Sequence, residues 1–326
     1  MINCILDFDP GVDDAAALFA IKNSKNLKLL ALSSVNGNVS IEHTTRNMQC
    51  LSKLLDINVP MGKGQEVPLV REPFFATVHG DDGIAGFRNM IESDDVGELS
   101  SENSVTMMHE IIQKSTEKIT IIAVGPLTNI ALLLRTFPED KEKIEQISIM
   151  GGSITRGNVT SLSEFNFFVD PEAAKIVFES GVKLIMAGLN ITQKASITDE
   201  QIQFLDTIET KRTKFAHRIL KYYASNDAGI HDPCSVIVLD NPEVFETEDM
   251  YIKIDVQNDE TRGMSYRDLI KEENGEFNCK VITKIDIDKF REILMQALTE
   301  WNLLREISRS FLLMEENFLR NYWFVK

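Results

Sequence analysis

The sequence has few basic residues relative to acidic ones. Its 326 residues include 34 Lys and Arg against 50 Asp and Glu, which gives a formal net charge of -16 at pH 7. A charge of this sign repels phosphate backbones and anionic lipid surfaces at long range. We therefore expect neither nucleic acid nor a membrane as the main partner, and a neutral or cationic small ligand is favoured.

Cysteine is scarce, and its four copies are scattered as Cys4, Cys50, Cys234 and Cys279. The absence of close pairs is typical of a reduced compartment rather than of a disulfide framework. No apolar run approaches the ~20 residues that a transmembrane helix needs. Residues 2–6 form a strand pattern without a basic segment or a signal-peptide pattern. We expect a cytoplasmic protein with buried thiols.

Linkers and repeats are also absent. No Pro/Ser-rich or low-complexity stretch divides the chain, so we predict a single domain over residues 1–305 and a C-terminal amphipathic helical extension over residues 306–326. Its apolar face comprises Leu304, Ile307, Phe311, Met314, Phe318 and Tyr322. Such a face either docks on its own core or forms a subunit contact, and the sequence leaves both open. We expect a homo-oligomer, a dimer or a tetramer.

Short apolar runs alternate with amphipathic helical stretches up to about residue 190, as in βαβ units. The predicted strands cover residues 4–8, 27–35, 119–124, 144–150 and 182–187. Beyond residue 195 we predict a longer helical region over 200–225, a short strand-rich part around 251–256 and 280–285, and a closing helix from residue 288. The fold class is therefore α/β, with an open, mostly parallel, Rossmann-like sheet flanked by helices and a C-terminal helical elaboration.

The strongest local signal is a group of four carboxylates, Asp7, Asp9, Asp13 and Asp14, between a strand and a helix. Carboxylates held close together repel one another and raise each other's pKa unless a cation neutralises them. Helix capping explains Asp13 or Asp14, but it does not explain Asp7 and Asp9 beside an apolar strand. The group predicts a site for a hard divalent cation such as calcium or magnesium.

Two further segments carry polar side chains that are weak signals when taken alone. The sequence HDP at residues 231–233 is typical of a helix cap as well as of a metal ligand. The sequence EFN at residues 164–166 follows Asn158 and combines acceptors with amide donors, as a sugar-binding loop requires. A solvated loop is the other interpretation of that segment.

Together these pieces resemble the inosine/uridine-preferring nucleoside hydrolase family along residues 1 to about 300. The motifs that carry the resemblance are DFDPGVDDAAAL at 7–18, NGN at 36–38, VHGDDGIAG at 78–86, VGPLTNIAL at 124–132, MGGSITRGNVTSLSEFN at 150–166, DPEAA at 170–174, HDP at 231–233 and TRGM at 261–264. The resemblance implies the nucleoside hydrolase fold and the hydrolysis of the N-glycosidic bond of ribonucleosides to free base and ribose.

The resemblance also implies a set of site residues. A calcium ion would be held by Asp9, Asp14, Asp232 and the main-chain carbonyl of Val124. Family members often carry threonine at this last position, and a backbone oxygen ligates equally well from valine. The implied substrate-binding residues are Asp13, Asn38, His79, Met150, Asn158, Glu164, Phe165, Asn166, Tyr223 and His231.

The implied chemistry passes through an oxocarbenium-like transition state, which nearby carboxylates stabilise. Asp9 would accept a proton from the metal-activated water that attacks the anomeric carbon. His231 would protonate the departing base, and Tyr223 is a candidate to assist it or to replace it. His79 lies in a segment that resembles a mobile active-site flap, although an exposed loop histidine is the other interpretation.

The positions of the two tryptophans bear on which nucleoside base the enzyme prefers. The purine-specific branch of the family stacks the base between tryptophans, whereas Trp301 and Trp323 here are both far from the motifs in sequence. We therefore expect an inosine/uridine-type or pyrimidine-preferring enzyme.

Two alternatives remain at the level of sequence. The run Asp7-Phe8-Asp9 also resembles the nucleophile motif of haloacid-dehalogenase-like phosphatases, but Gly11 stands where that family has a hydroxyl residue. A non-catalytic ribose-binding or nucleoside-binding protein would keep the same metal site without turnover. Release of free ribose and base separates these alternatives from a nucleoside hydrolase.

Overall fold

The computed structural model describes residues 1–91, 96–227 and 229–299. The predicted extension 306–326, its apolar face and both tryptophans lie outside the described residues. The strands are β1 (Ile2–Phe8), β2 (Leu27–Ser34), β3 (Met61–Gly62), β4 (Ile119–Ala123), β5 (Ile144–Met150), β6 (Leu184–Ala187), β7 (Phe245–Met250), β8 (Ile252–Ile254), β9 (Ser265–Arg267) and β10 (Cys279–Ile285).

The helices cover both faces of the main sheet. They are α1 (Val12–Asn23), α2 (Ile41–Leu54), α3 (Ser104–Lys114), α4 (Thr128–Thr136), α5 (Phe165–Val169), α6 (Pro171–Phe178), α7 (Leu189–Thr192), α8 (Asp199–Asp206), α9 (Lys211–Tyr223), α10 (Pro233–Asp240), α11 (Leu269–Glu273) and α12 (Ile287–Thr299). One apolar core contains residues of α1, α9, α10 and α12, and a second contains residues of α3, α4 and α6.

The main sheet has eight strands in the order β3-β2-β1-β4-β5-β6-β10-β7. All neighbouring pairs are parallel except β10 and β7, which are antiparallel, while β8 and β9 form a separate antiparallel pair. The predicted open, mostly parallel sheet is confirmed. The C-terminal part is less purely helical than expected, because β7 and β10 extend the main sheet.

The predicted helical region over residues 200–225 is confirmed, and it consists of two helices, α8 and α9. Thr210 begins the second helix: its side chain accepts a 3.1 Å hydrogen bond from the backbone N–H of Thr213. A side-chain oxygen in this position satisfies a backbone donor that has no partner within the helix. The cap at Thr210 therefore starts a new helix, so that α8 and α9 are separate elements.

The strand order places a ligand crevice between β1 and β4. From β1 the chain adds β2 and β3 on one side, and then crosses to β4 on the other side of β1. In an open α/β sheet, such a switch point opens a crevice at the carboxyl ends of the strands. Asp9 follows β1 and Val124 follows β4 at this edge.

Helices α1 and α10 are unusual because they are buried on nearly every side. A helix that is apolar all round belongs in a core rather than at a surface. The two helices pack against each other. Their N-terminal ends bring Asp13 and Asp14 of the first turn of α1 towards Asp232, the residue before α10.

The four cysteines are buried, as predicted for core thiols, and none of them forms a disulfide. Within the described part of the chain, each helix is too short or too polar to cross a bilayer.

Candidate active site

A cavity of about 440 Å³ opens at the carboxyl edge of the sheet. All ten residues proposed for substrate binding lie in its wall, together with Val124 and Asp232. Asp9 and Asp14 are not wall residues, because both are almost completely buried beneath it. The sequence did not single out several other wall residues, which include Phe74, Phe75, Thr77, Asn226 and Asp227.

Three carboxylates converge beside this cavity. Asp13, Asp14 and Asp232 each offer an oxygen, and these oxygens lie within 4.8 Å of one another. Asp14 is held by the backbone N–H of Gly11 at 2.9 Å and by that of Asp9 at 3.2 Å. This carboxylate therefore caps the first turn of α1 and also belongs to the acidic group, so the capping and metal-site interpretations both apply to it.

Asp9 lies next to this acidic group but is not one of the three. Its Oδ2 accepts a 2.7 Å hydrogen bond from the backbone N–H of Asn38. Its Oδ1 is buried and has no hydrogen-bond partner among the described residues. A buried carboxylate oxygen without a donor is costly unless a cation or a water satisfies it.

Two glycines make room for this carboxylate. A Cβ atom on Gly37 would lie 2.1 Å from Asp9 Oδ2, and one on Gly125 would lie 2.5 Å from Asp9 Oδ1. Both distances are far below van der Waals contact, so a side chain at either position would displace the carboxylate. The glycines of NGN and VGP therefore have a steric role at the site.

Burial and mutual repulsion disfavour the charged forms of these carboxyls. Burial and then the charge of Asp14 raise the pKa of Asp9 well above its usual range. Burial and then the charge of Asp13 raise the pKa of Asp14 to about 7. Burial, followed by the charges of Asp13 and Asp14, also raises the pKa of Asp232. The group therefore requires either protons or a cation to be stable.

The donor set fits a hard divalent cation. Carboxylate and carbonyl oxygens are the ligands that calcium and magnesium prefer. No Lys or Arg lines the cavity in the part of the chain that the structure describes, so neither of these side chains neutralises the carboxylates. The carbonyl of Val124 faces the same region and accepts a 2.8 Å hydrogen bond from Asn166 Nδ2. One lone pair of that carbonyl oxygen remains for a metal ion.

The opposite wall carries the sugar-type donors and acceptors. Glu164 caps α5, and its carboxylate accepts hydrogen bonds from the backbone N–H groups of Gly152 at 2.8 Å and Asn166 at 2.9 Å. Asn158 Oδ1 accepts from the backbone N–H of Phe165 at 3.0 Å, which leaves its amide group as a donor. Burial raises the pKa of Glu164 to about 6 despite these bonds.

His231 also lies in the cavity wall, and its two ring nitrogens have different surroundings. Nδ1 lies 2.8 Å from Thr192 Oγ1, and Nε2 lies 3.4 Å from Asp227 Oδ2. Burial alone would lower the pKa of His231, but the contact with Asp227 and the charge of Asp13 outweigh it and raise the pKa. A shift in this direction favours the protonated ring, as a general acid requires.

His79 is buried, unlike the exposed loop histidine of the alternative interpretation. Its Nδ1 accepts a 3.2 Å hydrogen bond from the backbone N–H of Val12, so the ring proton is on Nε2. Burial is the main cause that lowers the pKa of His79. The ring stacks on Tyr223 with centroids 5.2 Å apart. His79 is therefore a neutral donor beside the tyrosine.

Asp7 lies outside the cavity. Its Oδ1 accepts hydrogen bonds from Ser33 Oγ at 2.5 Å and Asn129 Nδ2 at 2.7 Å, in the interior of the sheet. A carboxylate in this position cannot reach a substrate as a nucleophile. The phosphatase alternative, which gives Asp7 that task, is thereby contradicted.

A second group of potential ligands, His109, Glu139 and Asp140, lies away from the cavity. His109 Nδ1 lies 3.0 Å from Asp140 Oδ2, and Gln113 donates a 2.5 Å hydrogen bond to Asp140 Oδ1. Asp140 is thus already satisfied by side chains, and this group is a structural polar cluster.

A Rossmann-like sheet that gathers buried carboxylates and sugar-type amides at its switch point defines a metal-assisted hydrolase of sugar derivatives. The sequence profile described as "Inosine-uridine preferring nucleoside hydrolase" matches residues 4–292. The chain belongs to this family. It is an N-glycosyl hydrolase that acts on ribonucleosides, and its acidic group is able to hold the metal ion on which the family depends.

Relatives extend the same comparison. The chain is 36% identical to the non-specific ribonucleoside hydrolase RihC of Salmonella schwarzengrund over 89% of this chain and 95% of that protein. It is 36% identical to RihC of Escherichia coli O7:K1 over 90% and 97% of the two chains. The structure is similar to a purine-preferring ribonucleoside hydrolase from Gardnerella vaginalis, with a TM-score of 0.85 and 28% sequence identity. The match covers 91% of this chain and 98% of that chain. It is also similar to an inosine-guanosine nucleoside hydrolase, with a TM-score of 0.84 and 27% sequence identity over 92% of this chain and 99% of that chain.

Proposed function

We propose that this enzyme is a calcium-dependent hydrolase of both purine and pyrimidine ribonucleosides. The observation that carries the proposal is the convergence of Asp13, Asp14 and Asp232 beside one cavity, with the partnerless Asp9 Oδ1 next to them. The breadth of substrate is supported by the curated relatives, which are described as non-specific ribonucleoside hydrolases.

The metal ligands in this proposal are Asp9, Asp14, Asp232 and the carbonyl of Val124. When bound, calcium would neutralise the carboxylates, orient the ribose hydroxyls and make a neighbouring water more acidic. Asp13 also belongs to the converging group, and its position in the cavity wall suits a hydrogen bond to a ribose hydroxyl.

Ribose binding is assigned to the polar wall residues. Asn38 Nδ2 already donates to the carbonyl of Asp9 and to Asp14 Oδ2, each at 3.1 Å, so this side chain is held rigidly at the acidic group. Asn158, Glu164 and Asn166 are fixed by backbone contacts in the same way. Preorganised donors and acceptors cost little entropy when the sugar binds. Met150 and Phe165 supply apolar contacts beside them.

Asp9 is the proposed general base. Its Oδ1 has no hydrogen-bond partner among the described residues, and the carboxylate lies beside the acidic group beneath the cavity. A water there loses a proton to Asp9 as its oxygen attacks the anomeric carbon. The positive charge that develops on the ribose is stabilised by the surrounding carboxylates.

His231 is the proposed general acid. The electron pair of the broken C–N bond moves to the base, which then needs a proton. His231 Nε2 lies 3.4 Å from Oδ2 of the wall residue Asp227, and this contact and the charge of Asp13 raise the pKa of the ring, which favours its protonated form. Tyr223 is buried and stacked on His79, and burial, followed by the charge of Asp13, raises its pKa. We assign Tyr223 to holding the base rather than to proton transfer.

The test of this function is a panel of inosine, uridine, cytidine and adenosine with detection of free ribose. Wild-type protein should release ribose from both purine and pyrimidine nucleosides. Asp9→Asn should reduce turnover of every substrate by about 10³-fold or more, because the base and a metal ligand are lost together. Asp249→Asn removes an exposed carboxylate on β7 and serves as the matched control. Absence of ribose release by the wild-type protein would refute the proposal.

Calcium is tested separately by chelation. Dialysis against EGTA should remove activity, and added Ca²⁺ should restore it more effectively than Mg²⁺, since calcium accepts six to eight oxygen ligands in flexible geometry whereas magnesium requires a near-ideal octahedron. Full activity after exhaustive chelation would contradict the metal assignment.

The assembly and location are further proposals. A homo-oligomer, a dimer or a tetramer, is supported by the family resemblance, and a cytoplasmic location by scattered cysteines that form no disulfide. Light scattering of the purified protein measures the number of subunits, and a monomer at micromolar concentration would contradict this expectation.

A further inference from the structure

Thr192 is the last residue of α7, and no motif in the sequence points to it. Its side chain is completely buried, and its Oγ1 lies 2.8 Å from Nδ1 of His231. The backbone of Thr192 is fixed on both sides: its N–H donates to the carbonyl of Gly188 at 3.1 Å, and its carbonyl accepts from Ala195 at 3.0 Å. The hydroxyl is therefore held in place by the fold rather than by the histidine alone.

The ring of His231 has little freedom to leave this hydroxyl. A Cβ atom on Gly229 would lie 2.7 Å from His231 Cε1 and 2.8 Å from the carbonyl oxygen of Thr192. The backbone N–H of Ile230 donates a 2.6 Å hydrogen bond to the carbonyl of Ala195. The segment that carries the histidine is thereby bonded to the same turn that carries Thr192.

The other ring nitrogen has different surroundings. His231 Nε2 is buried, and among the residues that the structure describes it has no hydrogen-bond partner. The carboxylate oxygen that lies 3.4 Å from it belongs to Asp227, a residue of the cavity wall. The ring is therefore anchored through Nδ1, which leaves Nε2, next to the cavity-wall residue Asp227, as the nitrogen that can give a proton to a bound base.

We propose that Thr192 is a positioning residue for proton transfer to the leaving base, because its hydroxyl oxygen accepts the Nδ1 proton of His231. This inference rests on the proposed acid role of His231. In the step, the C–N electron pair goes to the base nitrogen, which takes the Nε2 proton of the imidazolium ring. The ring becomes neutral and keeps its Nδ1 proton, which continues to donate to Thr192. The attacking water supplies the new hydroxyl of ribose and gives its proton to Asp9.

The variant Thr192→Val tests this role, since valine is close to threonine in shape but lacks the hydroxyl. Turnover of uridine and inosine should fall by about tenfold or more, since general acid catalysis contributes 10²–10⁴-fold and part of it depends on orientation. Hydrolysis of 4-nitrophenyl riboside, whose leaving group needs no proton, should change little. Thr192→Ser keeps the hydroxyl and should restore nucleoside turnover, whereas Thr213→Val, a buried threonine of α9, should leave both substrates unaffected.

A double variant shows whether Thr192 acts through His231. In a His231→Ala background, Thr192→Val should cause no further loss with uridine, because the group that it positions is gone. A loss that multiplies with that of His231→Ala would overturn the inference. An equal loss of nucleoside and nitrophenyl riboside turnover in Thr192→Val would also overturn it.

The outcomes separate this inference from the function on which it rests. If His231→Ala affects both substrates equally, the acid role itself fails; if only Thr192→Val does so, the acid role stands and the positioning role fails. Should Thr192→Val not fold, ¹⁵N NMR of the histidine rings in the wild-type protein decides. The inference requires a proton on Nδ1 of His231, and an unprotonated Nδ1 would overturn it.

Discussion

A carboxylate oxygen of Asp14 lies within 4.8 Å of one from Asp232, although the first residue follows strand β1 and the second precedes α10, late in the chain. Both side chains are buried. Like charges in this arrangement repel each other when no cation is bound, so they lower the free energy of unfolding of the metal-free protein. Binding of a metal ion would remove this repulsion and stabilise the fold.

The metal-free protein should lose stability as the pH rises. A carboxyl whose pKa is higher in the folded state binds more protons there than in the unfolded chain, so the free energy of unfolding falls with rising pH in the window between the two values. For Asp14 this window runs from 3.8 to about 7. Urea unfolding in EGTA between pH 4 and pH 7 measures the slope. Rising stability over this range would contradict the buried repulsion.

Asp232→Asn should have opposite effects on the stability of the metal-free protein and on its stabilisation by Ca²⁺. The neutral amide removes one repelling charge, so the metal-free variant should be at least as stable as metal-free wild type. It should also lose most of the increase in Tm that Ca²⁺ gives the wild-type protein, because a ligand is missing. Thermal melting with and without Ca²⁺ measures both effects, and Asp249→Asn is the control. An undiminished Tm increase would exclude Asp232 as a ligand.

Gly37→Ala should reduce activity because of its position against Asp9. The added Cβ would lie 2.1 Å from the carboxylate, which must move out of the site. Gly181→Ala is a suitable control: its φ of +82° makes alanine strained, but no atom lies within 4 Å of the added Cβ. The control should lose about 1 kcal/mol of stability and keep its activity. Equal turnover of the two variants would show that the close approach is unimportant.

Phe74→Ala should weaken substrate binding more than it slows the reaction. Phe74 lies in the cavity wall and packs edge-on against Phe168, with ring centroids 5.2 Å apart. Loss of this aromatic wall should raise KM by roughly 2–10-fold, the range that follows from 0.5–1.5 kcal/mol for an aromatic contact. Phe204→Ala, with a similar exposure of 43% on α8, is the control. A fall in kcat alone would contradict a binding role.

Asp7→Asn should retain nucleoside hydrolysis. Asn keeps an oxygen that accepts the hydrogen bonds of Ser33 and Asn129, and the residue does not reach the cavity. Asp7→Ala removes that acceptor and should lose about 1–3 kcal/mol of stability, because buried donors are left without a partner. Chemical unfolding and ribose release of the two variants measure the difference. Complete loss of activity in Asp7→Asn would assign Asp7 a direct role in the reaction.

The sheet was predictable because its strands are encoded locally. The five predicted parallel strands appear with boundaries shifted by no more than two residues, since doubly covered strands are continuous apolar runs. Strand β7 was missed because it lies at the sheet edge, where only its end residues Phe245 and Met250 are buried and the middle is polar. The helical region over residues 200–225 was also predicted, although its division into α8 and α9 was not.

The candidate site was only partly predictable. The sequence itself determined the class of chemistry, because each motif is a short continuous segment. These segments are the carboxylates around Asp9, NGN, EFN and HDP. Only the tertiary structure decided which oxygens meet, that Asp7 turns into the sheet, and that Thr192, Asp227 and Phe74 join the site. These contacts depend on the packing of α1 against α10 and on the order of strands in the sheet. Such long-range geometry leaves no local pattern in the chain, so motifs identified the reaction while the fold arranged the groups that perform it.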